Sequence, residues 1–188
     1  GEPLVCTGDA TCTNGQCVAQ ACEGATVARW QFSLEGSWEV AAADVNGDGE
    51  LDVVVGSIDS FSYGVHVFIS LGNGLFAPPV AYPVIGYPYS VAIADIDADG
   101  SPDIVATNDY GLRILLNDGD GTFTLAGSYD TSTAIRSVAL ADFGGDGLTD
   151  IAVANQVSDT VTVFTNQGNA TLSAQAPLLV GGDVLAIA

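Results

Sequence analysis

Three short stretches of the sequence place acidic side chains at alternate positions around glycines, a pattern whose chemistry is metal binding. In each stretch, aspartate stands at the first, fifth and ninth positions, and a glycine follows the fifth. Alternate carboxylates in a tight turn converge on one centre, and such oxygen ligands suit calcium, whereas magnesium favours fewer protein ligands. We name these stretches the first, second and third acidic loops, which are residues 44–52, 95–103 and 142–150.

The third position distinguishes the loops, because it is Asn46 in the first, Asp97 in the second and Gly144 in the third. Gly144 has no side-chain oxygen, so the sequence predicts two strong calcium sites and a weaker third site. The seventh residue of each loop would offer its backbone carbonyl. We expect the ions to hold a turn and not to touch a substrate. The predicted metal ligands are Asp44, Asn46, Asp48, Glu50, Asp52, Asp95, Asp97, Asp99, Ser101, Asp103, Asp142, Asp146, Leu148 and Asp150.

An EF-hand begins with the same ligand spacing but differs in two requirements. It needs a glutamate at the twelfth position and a helix on either side. The twelfth residues here are Val55, Ala106 and Val153. The flanking segments are short and rich in β-branched residues, which indicates strands. The acidic loops therefore connect strands, and the sequence excludes an EF-hand.

Residues for catalysis are scarce, so we predict that the chain is not an enzyme. Nucleophilic catalysis by Ser-His or Cys-His pairs requires a histidine, and the one histidine, His66, alternates with apolar residues in a strand. The sequence has no lysine, which excludes a phosphate-binding P-loop. The close carboxylate pairs are explained as calcium ligands.

Three tyrosines, Tyr82, Tyr87 and Tyr89, cluster between two of the repeats described below. Exposed aromatic rings there would stack on sugar faces, and the alternative is ordinary packing inside the fold. The sequence leaves the ligand-binding residues unknown.

The charge balance excludes some partners. Twenty-three acidic residues stand against three arginines, giving a formal net charge of −20. Such a chain repels nucleic acid and anionic membrane surfaces. No apolar run approaches the roughly 20 residues of a membrane-spanning helix, so we expect no membrane insertion. Bound cations would offset part of the charge, and plain solubility is the alternative explanation.

All four cysteines, Cys6, Cys12, Cys17 and Cys22, fall near the start of the chain. The residues between them are too polar to form an apolar core, so this segment needs a covalent or metal staple. Two disulfides, in one of three pairings, are favoured over zinc because no Cys-x-x-Cys pair is present. Disulfides predict export, and thus a secreted or cell-surface protein. We divide the chain into a Cys-rich segment, 1–24, and a repeat region, 25–188.

Each acidic loop lies within a longer segment of the sequence that repeats along the chain and sets the position of the loop. The first aspartate recurs after 51 residues, from 44 to 95, and after 47 residues, from 95 to 142. A fourth repeat begins at residues 185–188. Each repeat consists of four short strands, with a small apolar strand before the acidic loop. Four-stranded repeats of this length are typical of propeller blades. We predict an all-β fold, a β-propeller with about three and a half blades in this chain.

The acidic loops, together with residues 117–123 and 71–76, resemble FG-GAP/VCBS repeats, which build integrin α-subunit propellers and fungal and bacterial lectin-like propellers. The resemblance covers roughly residues 25–188 and implies a propeller with calcium in its blade loops. It also implies extracellular recognition of a glycan or a protein. The Cys-rich start resembles small disulfide modules of bacterial surface proteins.

Three hypotheses of function follow. The first is a secreted, calcium-binding recognition or adhesion module. The second is a structural subunit of an extracellular filament or layer, completed by edge-to-edge self-association, because an incomplete propeller exposes strand edges. The third is an accessory domain of a larger secreted hydrolase or lyase. The chain would then be either a fragment of a longer protein or one of several copies.

Overall fold

The computed structural model describes residues 35–58, 63–131, 134–182 and 184–187. These residues form three antiparallel sheets, two of four strands and one of five, and among them only one short 3-10 turn, Gln156–Ser158, is helical. The fold is therefore all-β, as predicted. None of the described helices is long and apolar enough to span a membrane. The predicted disulfide cysteines Cys6, Cys12, Cys17 and Cys22 lie outside the described residues.

Each sheet is one blade, and its strands lie side by side in chain order. The third blade has its outer strand in two pieces that pair with the same neighbour, with Pro177, which lacks an N–H donor, between them. The strands are β1 Glu35–Ala43, β2 Asp52–Ile58, β3 Tyr63–Phe68 and β4 Val80–Pro83 in the first blade; β5 Ser90–Ala94, β6 Asp103–Thr107, β7 Gly111–Asn117 and β8 Phe123–Asp130 in the second; and β9 Ile135–Ala141, β10 Asp150–Asn155, β11 Thr160–Asn166, β12 Leu172–Ala174 and β13 Leu178–Leu179 in the third.

The blades pack face to face around adjacent innermost strands. β1 lies beside β5 and β5 beside β9, which is the arrangement of successive blades around a propeller axis. Every residue of β6 is buried, because the second blade has a neighbour on both faces. Ile104 and Ala106 pack in the core shared with the first blade, and Val105 packs in the core shared with the third. The period of two along a strand thus supplies both cores.

The turn before β4 and the bounds of β4 itself illustrate how local sequence sets the strand ends. Asn-Gly favours a tight hairpin turn, and Asn73 and Gly74 both have the positive φ that such a turn requires, 55° and 73°. The outer strand of the first blade, β4, covers only Val80–Pro83, although the preceding segment from Phe76 is also apolar. Prolines at positions 78 and 79 have no N–H to donate to the ladder, and Phe76 forms only an isolated bridge to Ser70.

The fourth repeat forms no strand in residues 184–187. Ile187 instead contacts the third blade, where its N–H donates to Ser137 Oγ at 3.3 Å.

Candidate functional site

Each acidic loop turns around its first carboxylate. In the second loop, Asp95 Oδ1 accepts hydrogen bonds from the amides of Ala98, at 2.8 Å, and Asp99, at 3.2 Å. The other oxygen, Oδ2, accepts from Gly100 N at 3.0 Å, where a φ of +95° requires glycine. The first and third loops repeat all three bonds. The loop backbone is therefore ordered by its own side chain.

The ninth residue of each loop is a buried clamp. Asp103 has no exposed surface, and its Oδ2 accepts from Ile96 N at 2.8 Å while Oδ1 accepts from Asn117 N at 2.9 Å. Asp52 and Asp150 make the equivalent pair of bonds. The clamp joins each loop to the end of the third strand of its blade. Each carboxylate oxygen has a second lone pair, so the predicted role of these residues as metal ligands stays a prediction.

The second loop brings three carboxylates together. Oxygens of Asp95, Asp97 and Asp99 lie within 4.8 Å of one another, and in the described part of the chain no other group of three titratable ligands converges in this way. Two oxygens that bind one calcium at about 2.3–2.6 Å are at most roughly twice that distance apart. The donor set and its spacing therefore fit calcium.

The first loop presents a mixed donor set. Asn46 Nδ2 donates to Asp48 Oδ2 at 2.9 Å, so a cation here requires the carboxamide oxygen to turn inward. Glu50, predicted to bind through its carbonyl, donates its N–H to Asp48 Oδ1 at 2.8 Å. The amide of Ser101 makes the same bond to Asp99, and the amide of Leu148 to Asp146.

The third loop replaces a ligand with a backbone bond. Gly144 N and Phe143 N both donate to Asp150 Oδ2, each at 2.9 Å. Asp142 is exposed, whereas its equivalents Asp44 and Asp95 are half-buried. In the first two loops a turn of the next blade packs against the loop, as when Gly121 approaches Asn46. Among the described residues no such turn packs against the third loop, which is therefore more exposed.

Asp103 in the second loop and Asp142 in the third loop have opposite pKa shifts. Burial raises the pKa of Asp103, opposed by the amides of Asn117 and Ile96. The amide of Gly147 holds the pKa of Asp142 below its usual range, assisted by the amides of Gly145 and Asp146 and opposed by desolvation. A buried carboxylate that must stay charged benefits from a nearby cation.

Two asparagines that the sequence interpretation missed connect adjacent blades. Asn117 Nδ2 donates to Val45 O in the first loop at 2.8 Å, and Asn166 Nδ2 donates to Ile96 O in the second loop at 2.6 Å. Both asparagines open the turn between the third and fourth strands, a recurrence that was visible in the sequence. Ser70 holds this position in the first blade and accepts a bond from Gly72 N within its own turn.

The remaining predicted residues separate into two groups. His66 is 4% exposed, and its Nδ1 lies 2.8 Å from Ser57 Oγ on the neighbouring strand. Tyr82 packs between blades, with its ring 5.4 Å from Phe123 in an edge-on arrangement. Tyr87 and Tyr89 stack on each other at 6.5 Å and form a different surface.

Repeats, blades and acidic loops together define the class, a repeat-built β-propeller. The FG-GAP-like repeat family matches residues 44–106 and 95–153. These matches cover more than half of the chain and include all three acidic loops. The chain belongs to the FG-GAP-like repeat family, which confirms the predicted family and fold. No curated protein sequence matches the chain.

Two solved structures match the chain over part of its length. An Agrocybe aegerita lectin, described as specifically recognising non-reducing terminal N-acetylglucosamine, is 22% identical and superposes with a TM-score of 0.52. The match covers 73% of this chain and 37% of the lectin chain, so the chain spans little more than a third of that lectin. A chain from the structure of BBS1N in complex with ARL6DN matches at 14% identity and a TM-score of 0.47, covering 80% and 57% of the two chains.

Proposed function

We propose that this chain is part of a secreted β-propeller that is stabilised by calcium and acts as an extracellular recognition module, with a glycan as its ligand. The observation that carries the calcium role is the convergence of Asp95, Asp97 and Asp99. Three carboxylates at this spacing repel one another unless a cation lies among them. The family and the fold shared with a lectin support recognition of a glycan. The clustered cysteines support secretion.

A thermal melt tests the calcium role. Calcium that binds only the folded chain raises the unfolding free energy by about 2.7 kcal/mol when its free concentration is 100 times the dissociation constant. We expect the melting temperature to fall when a chelator replaces calcium and to recover when calcium is restored. Magnesium at equal concentration serves as the control and is expected to stabilise less. Equal melting with calcium and with chelator would contradict the proposal.

An oligosaccharide array tests recognition. The first probes are oligosaccharides ending in N-acetylglucosamine, with other neutral and sialylated oligosaccharides printed beside them. Binding to a defined subset supports a glycan-recognising module. A chain that is folded and calcium-loaded but binds no printed sugar contradicts that part of the proposal and leaves the calcium role to its own test.

Exposed apolar side chains favour self-association as a second candidate. Leu178 and Leu179, in β13 of the third blade, are 60% and 79% exposed, and Leu185, at the beginning of the fourth repeat, is 60% exposed. Apolar strand edges of this kind pair with further strands. Light scattering in calcium measures the outcome, since ordered polymers support an assembly subunit and a monomer contradicts it.

A further inference from the structure

The connections at the end of the sheets opposite the acidic loops form a surface that takes no part in the proposed calcium binding. Antiparallel strands alternate direction, so the turn from β6 to β7 and the crossovers between blades lie at the other end of the sheets. Three segments meet there: the crossover 84–89, the turn 108–110 and the beginning of β9. We call this surface the tyrosine face, formed by Tyr87, Tyr89, Asp109, Tyr110, Arg136 and Gln156.

One buried asparagine fixes the three segments of the tyrosine face. Asn108 is 1% exposed, and its Nδ2 donates to Ile85 O in the crossover at 2.5 Å. Its Oδ1 accepts from Tyr110 N at 2.8 Å and Gly111 N at 2.9 Å, which sets the turn. Its backbone carbonyl accepts from Ile135 N at 3.2 Å at the beginning of β9. The face is held in place before any ligand binds, which lowers the entropic cost of binding.

Two of the three tyrosines of this face are exposed. Tyr87 is 40% exposed and Tyr110 is 53% exposed, while Tyr87 and Tyr89 stack with ring planes 20° apart. Tyr110 lies against the backbone of Gly86, where an added Cβ would be 2.8 Å from the ring. Flat, fixed aromatic surfaces next to hydrogen-bonding groups suit the apolar faces of sugar rings.

Polar groups with fixed orientations border the rings. The Tyr89 hydroxyl donates to Asp109 Oδ1 at 2.5 Å. One blade further, at the corresponding positions, Arg136 Nε donates to Gln156 Oε1 at 2.6 Å. The Arg136 guanidinium also lies 3.8 Å from the centroid of the Tyr89 ring. The tyrosine face therefore offers a carboxylate, an amide and a guanidinium within one continuous patch.

We propose that the tyrosine face is the ligand site of this propeller and that it binds an uncharged glycan, with a sugar ring stacked on Tyr87. Asp109 and Gln156 accept hydrogen bonds from sugar hydroxyls, and Arg136 donates them. The face itself carries one acid and one base, whereas the chain carries a net charge of −20 that repels anionic ligands. This site rests on the proposed glycan-recognition function and gives it a location.

The test compares paired variants on an array of neutral oligosaccharides and their sialylated counterparts, followed by calorimetry with the neutral oligosaccharide that binds best. Tyr87→Ala is expected to weaken binding by about tenfold or more, and Tyr87→Phe, which keeps the ring, by less than about threefold. Phe143→Ala is the matched control. Phe143 is likewise an exposed aromatic residue, at 53%, but it lies in the third acidic loop and not on the tyrosine face. This variant is expected to bind as the wild type does.

The outcomes separate the site from the function. If the wild type binds a neutral glycan and Tyr87→Ala binds it equally well, the tyrosine face is not the site and glycan recognition stands. If the wild type binds no array member, both proposals fail. Preferential binding of sialylated sugars would overturn the uncharged ligand. Binding is compared only among variants whose melting temperature in saturating calcium equals that of the wild type, so that loss of fold is not counted as loss of binding.

Discussion

The second and third acidic loops have the same backbone frame and different ligand sets. In both, the first carboxylate accepts three loop amides and the ninth joins the loop to the third strand. At the third position, Asp97 Oδ1 accepts from Asp99 N at 3.1 Å, whereas Gly144 gives its own N–H to Asp150. The loop shape therefore does not depend on the third side chain.

This difference assigns separate roles to the aspartates. The first and ninth residues order the backbone, and their hydrogen bonds form from the chain alone. The third and fifth residues of the second loop each accept one exposed loop amide as well, but they lie at the rim, where we expect them to contribute mainly by binding a cation. Removing a clamp should thus destabilise the blade in any buffer, while removing a rim carboxylate should matter mainly with calcium.

The largest effect is expected from the clamps. Asp103→Ala leaves the buried amides of Ile96 and Asn117 without an acceptor, and each unsatisfied buried group costs about 1–3 kcal/mol, so the unfolding free energy should fall by roughly 2–6 kcal/mol. Asp150→Ala should lose a similar amount, although its loop is the weaker predicted calcium site. Urea unfolding in chelator and in calcium measures both variants.

A rim variant provides the control for the clamps. Asp99→Ala removes an exposed carboxylate that accepts from Ser101 N, and it is expected to destabilise the blade much more in calcium than in chelator. If Asp103→Ala were harmless in chelator, the ninth residue would act only as a metal ligand and the division of roles would be wrong.

The second prediction exchanges the third residue between the loops. Asp97→Gly should weaken calcium binding at the second loop by at least about tenfold, which is about 1.4 kcal/mol. Gly144→Asp should create the missing ligand in the third loop. A Cβ at Gly144 would meet nothing nearer than Asp146 Oδ2 and Asp150 Oδ2, both at 3.6 Å, so there is room for a Cβ at this position.

The effect of Gly144→Asp on stability changes sign when calcium binds. Without calcium the added carboxylate repels Asp146 and Asp150 and lowers stability, and with calcium it raises stability above that of the wild type. Calcium titration by calorimetry gives the affinities, with magnesium as the matched control. Stabilisation of this variant in chelator would show that the pocket does not need a cation.

The sequence predicted the repeat, the four-stranded blades and the positions of the acidic loops, because these follow from local spacing. It did not predict the contacts between distant segments. Asn117 reaches Val45 across 72 positions, and Asn108 joins the crossover to a turn 23 positions away. Such pairings depend on how blades pack, which a single sequence does not specify.

The tyrosines show the same limit at a functional surface. Tyr82, Tyr87 and Tyr89 form one cluster in the sequence, yet the structure places Tyr82 between blades and the other two on the tyrosine face. Tyr82 lies in β4 and points to the next blade, while the crossover carries its neighbours to the opposite rim. The partners Asp109, Arg136 and Gln156 come from later segments and had no signal in the sequence.

The smallest effect concerns the fourth residue of the loops. Ala98 has a φ of +67°, where the first and third loops place Gly47 at +73° and Gly145 at +72°. A left-handed conformation costs an L-residue about 1–2 kcal/mol. A glycine at the same position avoids this cost but loses about 0.5–1 kcal/mol more conformational entropy on folding. Ala98→Gly should therefore stabilise the chain by about 0.5 kcal/mol, equally with calcium and with chelator, because the strain is in the backbone.

The reciprocal change at the third loop sharpens this last comparison. A Cβ at Gly145 has no atom within 4 Å, so Gly145→Ala tests the backbone conformation without any steric contact. It should destabilise the chain by about as much as Ala98→Gly stabilises it, measured by urea unfolding in both buffers. If Gly145→Ala costs nothing, the third loop can relax away from positive φ, and the common frame of the two loops is less rigid than their shared hydrogen bonds imply.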